Sequence, residues 1–326
     1  MSQLRVALIG YGLSGKSFHS PLIKACPELV IAAVVSSRVD EIKKDLPQAS
    51  IVSFEQALEL SDLVVITTPH QLHFEQAKAA LSAGKHVVVE KPFTASTSEA
   101  HELFKIANDK KLILKVFFNR RFDADFLTLK TLIQSGELGE IKTIESHFDR
   151  FRPIPKENAW REKAGAQSGI WWDLGPHLID QALSLLGKPS DIIFDIGKQR
   201  QGEADDFFDV TMKYEKGVRF HLRASCIVKD FGHRFRVHGT KGSVLFKKLD
   251  VQEEQLRAGR SPLEAGFGFY PENAVEASEG VNIDLKPGCY LSFYRNLIAS
   301  ITNGTIHNDD KAGIILGTQI LNLEFV

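Results

Sequence analysis

Lys91 stands in "VVVEKPF" (87–93), directly behind three valines, and Asp173 and His177 stand four apart in "WWDLGPHLID" (171–180). These residue types suit the handling of protons and developing charge. A lysine ammonium can hydrogen-bond an oxygen that gains negative charge during a reaction. Histidine titrates near neutrality, so it can accept a hydroxyl proton in one direction and return it in the other. Pro176 fits the first turn of a helix, which would put Asp173 just ahead of that helix and His177 just inside it. The spacing of four then brings carboxylate and imidazole together at the helix start, where the carboxylate can orient the ring and steady its cation. Asp180, three residues on, is a second partner of the same kind. Plainer uses exist for each residue: a strand-end lysine can snorkel to water, and a His–Asp pair can cap a helix.

The elements around them supply the missing context. "LRVALI" (4–9), "LVIAAVV" (29–35), "LVVIT" (63–67), "HVVVE" (86–90) and "LILKVFF" (112–118) are apolar runs without polar alternation. Such strands belong to a parallel sheet covered on both faces. Helical stretches lie between them, with capping-box patterns at Ser53/Gln56 and Ser96/Glu99 and a closing glycine at Gly84. Alternating strands and helices predict right-handed crossovers and a doubly wound sheet. Beyond Asn119 the pattern changes. A helix at 123–135 closes on Gly136, "IKTIESHFDRF" (141–151) alternates with period two, and a further helix runs over 176–186. "FFDVTMKY" and "VRFHLRASCIV", joined by "EKG", read as an antiparallel hairpin. The expected domains are therefore 1–119, an α/β unit, and 120–326, an α+β unit with a mostly antiparallel sheet.

In an open parallel sheet, ligands sit beyond the carboxyl ends of the strands. Glu90, Lys91 and Pro92 fall at one such end, and Thr67, Thr68, Pro69, His70 and His73 at another, where they are placed to line a cofactor. The loop Gly10, Tyr11, Gly12, Leu13, Ser14, Gly15 follows the first strand and opens a helix, the context in which a G-x-G-x-x-G pattern cradles a pyrophosphate. Pro21 splits that helix, with Ser20 capping the second piece. Where NAD sites place an acid on the ribose 2′-hydroxyl, this chain has Ser36, Ser37 and Arg38. Hydroxyls and a guanidinium accept a 2′-phosphate that a carboxylate would repel, so NADP(H) is favoured and NAD(H) is the second choice.

Composition closes off other classes. The 326 residues are 43% hydrophobic and 25% charged with a formal net charge of −1, and no apolar run approaches a membrane span. No nucleic-acid or membrane partner is indicated. Three separated cysteines give neither a disulfide frame nor metal-ligand spacing, and no leader precedes the first strand, which together point to the cytoplasm.

"IGYGLSG", "TTPHQLH", "VVVEKPF" and "WWDLGPHLID" together resemble the glucose–fructose oxidoreductase / inositol dehydrogenase (Gfo/Idh/MocA) family of NAD(P)-dependent oxidoreductases. "GKSFHSPLI", "VVSSR" and "FFNRRFDADFLTL" look most like its branch of NADP-dependent scyllo-inositol dehydrogenases. The resemblance implies a Rossmann domain followed by a domain whose large open sheet forms dimers or tetramers. It implies hydride transfer with a polyol or sugar at a CH–OH group, Lys91 as the catalytic lysine, His177 as the acid/base and Asp173 as its partner, with no metal. It also implies a cis Lys91–Pro92 bond and substrate contacts at Asn119, Trp160 and Arg161. His70, Phe118, Trp171 and Trp172 depart from the residues usual in relatives, and all border the substrate space. The alternatives are the same chemistry on another carbonyl or imine, such as a dihydrodiol or other sugar, and a redox-inactive NADP(H)-binding sensor on the same fold.

Overall fold

The computed structural model describes residues 3–157, 162–163, 165, 167–304 and 310–324. Along the chain run β1 (Leu4–Ile9), α1 (Ser20–Lys24), β2 (Leu29–Val35), α2 (Val39–Asp45), β3 (Ser50–Ile51), α3 (Phe54–Glu59) and β4 (Leu63–Ile66). Next come α4 (His73–Ser82), β5 (His86–Glu90), α5 (Thr97–Asp109), β6 (Leu114–Phe117), α6 (Ala124–Ser135), β7 (Ile141–His147) and α7 (Gly169–Leu186). The remainder comprises β8 (Asp191–Gly197), β9 (Phe207–Lys213), β10 (Arg219–Ser225), β11 (Phe235–Gly239), β12 (Ser243–Phe246), α8 (Gln252–Arg257), β13 (Val275–Ala277), α9 (Leu291–Thr302) and α10 (Lys311–Leu321).

Six strands form a parallel sheet in the order β3-β2-β1-β4-β5-β6, the doubly wound arrangement expected from the apolar runs. Successive residues of one strand feed opposite cores. Val6 and Leu8 pack with Leu22, Ile23 and Ile42 on one face, while Ala7 and Ile9 pack with Ala77, Leu81 and Leu103 on the other. That two-sided burial is why these strands carry no polar alternation. The capping box at Ser53/Gln56 forms in full. Ser96 caps α5, but Glu99 accepts the N–H of Ala95 instead of completing a box.

The compact units are not two consecutive stretches. The first joins Met1–Phe122 with Val251–Gly268 and Cys289–Thr318, and the second comprises Asp123–Asp250, Phe269–Gly288 and Gln319–Val326. The expected boundary at 119/120 lies close to the end of the first segment, but the two returns were not anticipated. Their reason is apolar: Leu256, Tyr290, Phe293, Tyr294 and Leu297 complete the core over Val6, Leu8 and Phe117.

The second unit holds a seven-stranded sheet, β13-β12-β11-β7-β10-β9-β8, antiparallel except where β7 pairs parallel with β10. Its β9–β10 hairpin has the expected register, Arg219 opposite Lys213 through Ser225 opposite Phe207. Helix α7 packs on β9 and β10, where Trp171 meets the Phe208 ring edge-on at 5.0 Å. The Trp171 indole donates to the Leu321 carbonyl at 2.8 Å, so this tryptophan belongs to the core of the unit.

Helix α7 corrects one expectation. It begins at Gly169, not near Pro176, so Pro176, Asp173 and His177 all lie inside it. The cause is a cap supplied from far along the chain. Asp205 receives the Ile170 N–H at its carbonyl (3.0 Å) and the Trp171 N–H at its carboxylate (2.7 Å), satisfying the first free donors of the helix. Gly169 has φ +83°, and a Cβ there would lie 1.9 Å from the Asp205 carboxylate.

No helix among the described residues is long and apolar enough to cross a membrane.

Candidate active site

In the first unit the carboxyl ends of β1, β2, β4 and β5 carry the residues singled out above. After β1 the chain turns on Gly10, whose φ is +98°. A Cβ at Gly10 would lie 2.8 Å from Thr67 Oγ1, and one at Gly15 would lie 2.4 Å from the Gly10 carbonyl oxygen. Both glycines are therefore demanded by the protein itself. At Gly12 a Cβ would meet nothing within 4 Å, which is the free approach a pyrophosphate needs at a helix start. The loop thus fits a dinucleotide on geometry. The Tyr11 ring points into the core instead, and its hydroxyl donates to Asp45 at 3.2 Å. Burial and Asp45 push that phenol up to about 12. Tyr11 can serve a cofactor through its backbone only. Leu13 is half exposed on the loop. The segment behind it makes one π-turn over 15–19 before α1, and Ser20 is the first residue of α1, not its cap.

Thr67 ties the glycine turn down: its hydroxyl donates toward the carbonyls of Ile9 (3.1 Å) and Gly10 (2.9 Å). Thr68 donates to Gln76 at 2.6 Å, and Pro69 starts the short turn His70–Leu72. His73 is 1% exposed, with its ring nitrogens 2.8 Å from the Pro92 carbonyl and 3.1 Å from that of Thr68. Burial lowers its pKa, outweighing the two carbonyls, and the ring lies between the loop after β4 and the loop after β5. Its side chain is thus engaged with both of these loops.

At the end of β2, Ser36 Oγ accepts the Arg38 N–H at 3.3 Å, and the exposed Arg38 guanidinium pairs with Glu41 at 3.1 Å. No carboxylate occupies 36–38; Asp40 and Glu41 belong to the first turn of α2.

Glu90 ends β5, Lys91 follows it, and the Lys91–Pro92 bond is cis, as the resemblance implied. The Lys91 backbone N–H donates to Glu90 Oε2 at 3.1 Å. The other carboxylate oxygen of Glu90 accepts from Ser14 and lies 3.1 Å from His19 Nε2, whose ring pairs through Nδ1 with the Tyr294 hydroxyl at 2.6 Å. Burial alone would raise the Glu90 pKa, but His19, Ser14 and Lys91 outweigh it and hold the carboxyl below its ordinary value. Glu90 therefore fastens the base of Lys91 to the glycine loop. Sequence reasoning missed His19 and Tyr294 as parts of this network, although "GKSFHSP" held a signal: a histidine one turn behind a glycine loop.

The sign of this shift gives a pH prediction. A carboxyl depressed on folding contributes stability that is complete above its ordinary 4.5 and is lost as pH falls through the lowered value. The melting temperature of the parent protein should therefore fall more steeply below pH 4.5 than that of Glu90→Gln. Parallel curves in thermal melts would remove Glu90 from this account.

In the second unit, Asp173 and His177 are one turn apart on α7, and His177 is buried. The expectation that Asp173 serves the imidazole gains a competitor, since its carboxylate receives Arg150 Nη1 at 3.1 Å. Asp173 also lines a cavity of about 250 Å³ with Arg150, Arg152, Lys156, Glu162 and Arg200. Arg200 is already engaged, at 2.9 Å from Asp206 and 2.7 Å from Glu162. Asn119 lies in the first unit, buried in the turn after β6. Trp160 and Arg161 lie outside the described residues.

The first unit is by construction a dinucleotide-binding fold. Residues 4–118 match the profile described as "Oxidoreductase family, NAD-binding Rossmann fold", and residues 126–245 match "GFO/IDH/MocA C-terminal domain". The chain is 43% identical over 301 residues to the uncharacterized oxidoreductase YdgJ of Escherichia coli K12, covering 89% of this chain and 86% of the relative. It is 38% identical over 313 residues to the scyllo-inositol 2-dehydrogenase (NADP(+)) IolW of Bacillus subtilis, covering 92% and 87%. The solved structure of the oxidoreductase YvaA of Bacillus subtilis matches with a TM-score of 0.92 at 36% identity, covering 99% of this chain and 95% of that one. The protein belongs to the Gfo/Idh/MocA family of oxidoreductases.

Proposed function

We propose that the protein is an NADP(H)-dependent dehydrogenase/reductase acting on a secondary alcohol or ketone of a polyol or sugar, inositols included. The observation that carries this reading is the end of β5: Lys91 follows a carboxylate locked to the glycine loop, beside a Gly12 whose surroundings are open. The cofactor choice is supported by Ser36, Ser37 and Arg38 and by the absence of an acid among them. It is supported also by IolW, which is named for NADP(+) and an inositol.

Gly10 to Gly15 would hold the pyrophosphate on backbone N–H groups, and Ser36 to Arg38 the 2′-phosphate. The bound nicotinamide would supply or accept the hydride. Lys91 donates a hydrogen bond to the substrate oxygen and offsets its alkoxide character. His177 takes the hydroxyl proton in oxidation and returns it in reduction. Asp173, negative and one turn away, favours the imidazolium while holding Arg150 in place. The charged and polar cavity wall beside Asp173 suits a ligand rich in hydroxyls.

The test is absorbance of NADPH and NADH at matched concentrations over a panel of inositols, inososes, aldoses and ketoses. Turnover of at least one member with higher kcat/KM for the phosphorylated cofactor is expected. Arg38→Asp should lower that preference at least about tenfold, since one charge-assisted contact is worth roughly 1.5–3 kcal/mol. A preference for NADH in the parent protein overturns the cofactor assignment. Tight NADPH binding without turnover of any panel member overturns the polyol assignment.

A further inference from the structure

Well away in sequence from the proposed catalytic residues, β7 sends Glu145 and His147 to the same face of the seven-stranded sheet, because residues two apart on a strand share a face. His233 enters beside them, two residues ahead of β11, where the His147 N–H donates to the Arg234 carbonyl at 2.9 Å. Three ligand-type atoms converge there. His233 Nε2 lies 2.9 Å and His147 Nε2 lies 3.9 Å from the same Glu145 Oε2. The two imidazoles stack with centroids 4.2 Å apart, and each of the three residues offers one ligand atom within 4.8 Å of the others.

We propose that Glu145, His147 and His233 form a binding site for a divalent transition metal ion of the zinc class. Two imidazole nitrogens and one carboxylate oxygen are a donor set this class favours, with a fourth position left for water. Bonds of roughly 2.0–2.2 Å to a tetrahedral ion would place the ligand atoms about 3.4 Å apart. The observed 2.9 and 3.9 Å bracket that value, so rotations of side chains suffice.

Two further observations separate this reading from a plain polar patch. His233 is 9% exposed, and its Nε2 faces the Glu145 carboxylate at 2.9 Å, so two of the three ligand atoms already converge out of water. On the other side of His147, Nδ1 faces Asp149 Oδ2 at 3.7 Å, beyond hydrogen-bond reach but on the side from which a carboxylate commonly orients a metal-bound imidazole. Arg236 Nη1 lies 3.9 Å from the same Glu145 oxygen, but it is 44% exposed and can turn to water. All ligands come from one chain, and none belongs to the proposed redox chemistry, so the site stands or falls independently of it.

The experiment is calorimetric titration of the full-length protein, in its own assembly, with zinc chloride, alongside thermal melts with and without zinc. One saturable site per chain and a raised melting temperature are expected. His147→Ala and His233→Ala should each weaken binding at least about 100-fold, and Asp149→Asn about tenfold. His238→Ala, which removes another histidine of the same sheet, should leave the affinity unchanged. Glu145→Gln keeps the size of the side chain and should also weaken binding, which guards against a misfolded alanine variant. A dissociation constant weaker than about 100 µM overturns the proposal. So does zinc binding that survives in Glu145→Gln and both histidine variants.

Discussion

Lys91→Ala is expected to lower kcat by about 100- to 1,000-fold, while the dissociation constant for NADPH moves less than about threefold. The separation follows from which atoms the substitution removes. The contact fastening this position to Glu90 uses the Lys91 backbone N–H, which alanine retains. Ser14 and His19 continue to hold the Glu90 carboxylate, so the glycine loop keeps its anchor. What is lost is the ammonium beyond the end of β5, a donor whose value rises as negative charge grows on the substrate oxygen. Lys91→Arg keeps a positive charge but exchanges a compact ammonium for a planar fork of different reach, and it should recover only a minor part of the rate. Stopped-flow hydride transfer and NADPH fluorescence titration measure the two quantities separately. If kcat stays near normal in Lys91→Ala, another group polarises the oxygen. If NADPH affinity collapses along with the rate, Lys91 acts through the cofactor.

The parts of this protein that could be read from its sequence are those in which each residue carries its own reason. Strands buried on both faces must be apolar at every position, so β1, β2, β4, β5 and β6 announced themselves. Ser53 with Gln56 and Gly136 behind α6 mark helix ends through local backbone bonding, and both appear where expected. What could not be read turns on partners distant along the chain. Helix α7 starts at Gly169 because Asp205 caps it, and nothing near Gly169 announces that aspartate. His73 meets the Pro92 carbonyl, 19 positions on, a contact that its place at a helix start does not announce. Phe293, Tyr294 and Leu297 of α9 complete the core above β1, a destination that nothing near them in the chain announces. Tyr294 reaches His19 across 275 positions, and Glu90 reaches it across 71, so the anchor beneath Lys91 exists only in three dimensions.

The glycine loop permits a second large test, because its glycines are required for different reasons. Gly12→Val should raise the NADPH dissociation constant about 100-fold with the melting temperature of the ligand-free protein almost unchanged. Two backbone bonds to a phosphate are worth roughly 3 kcal/mol together, and a branched side chain at the point of approach prevents both. Within the protein the added methyl groups project into space that has no neighbour within 4 Å of the Cβ, so the fold has no cause to object. Gly15→Ala is the contrasting case. Its Cβ would stand 2.4 Å from the Gly10 carbonyl and 2.9 Å from Thr67 Oγ1, inside the turn that β1 and β4 hold in place. Overpacking of that kind costs about 1–3 kcal/mol, so a lower melting temperature should accompany its loss of affinity. Differential scanning fluorimetry and NADPH titration on the two variants suffice. Should Gly12→Val bind NADPH normally, the pyrophosphate does not approach the protein at this loop. Should Gly12→Val melt early while Gly15→Ala does not, the two glycines have been assigned the wrong way round.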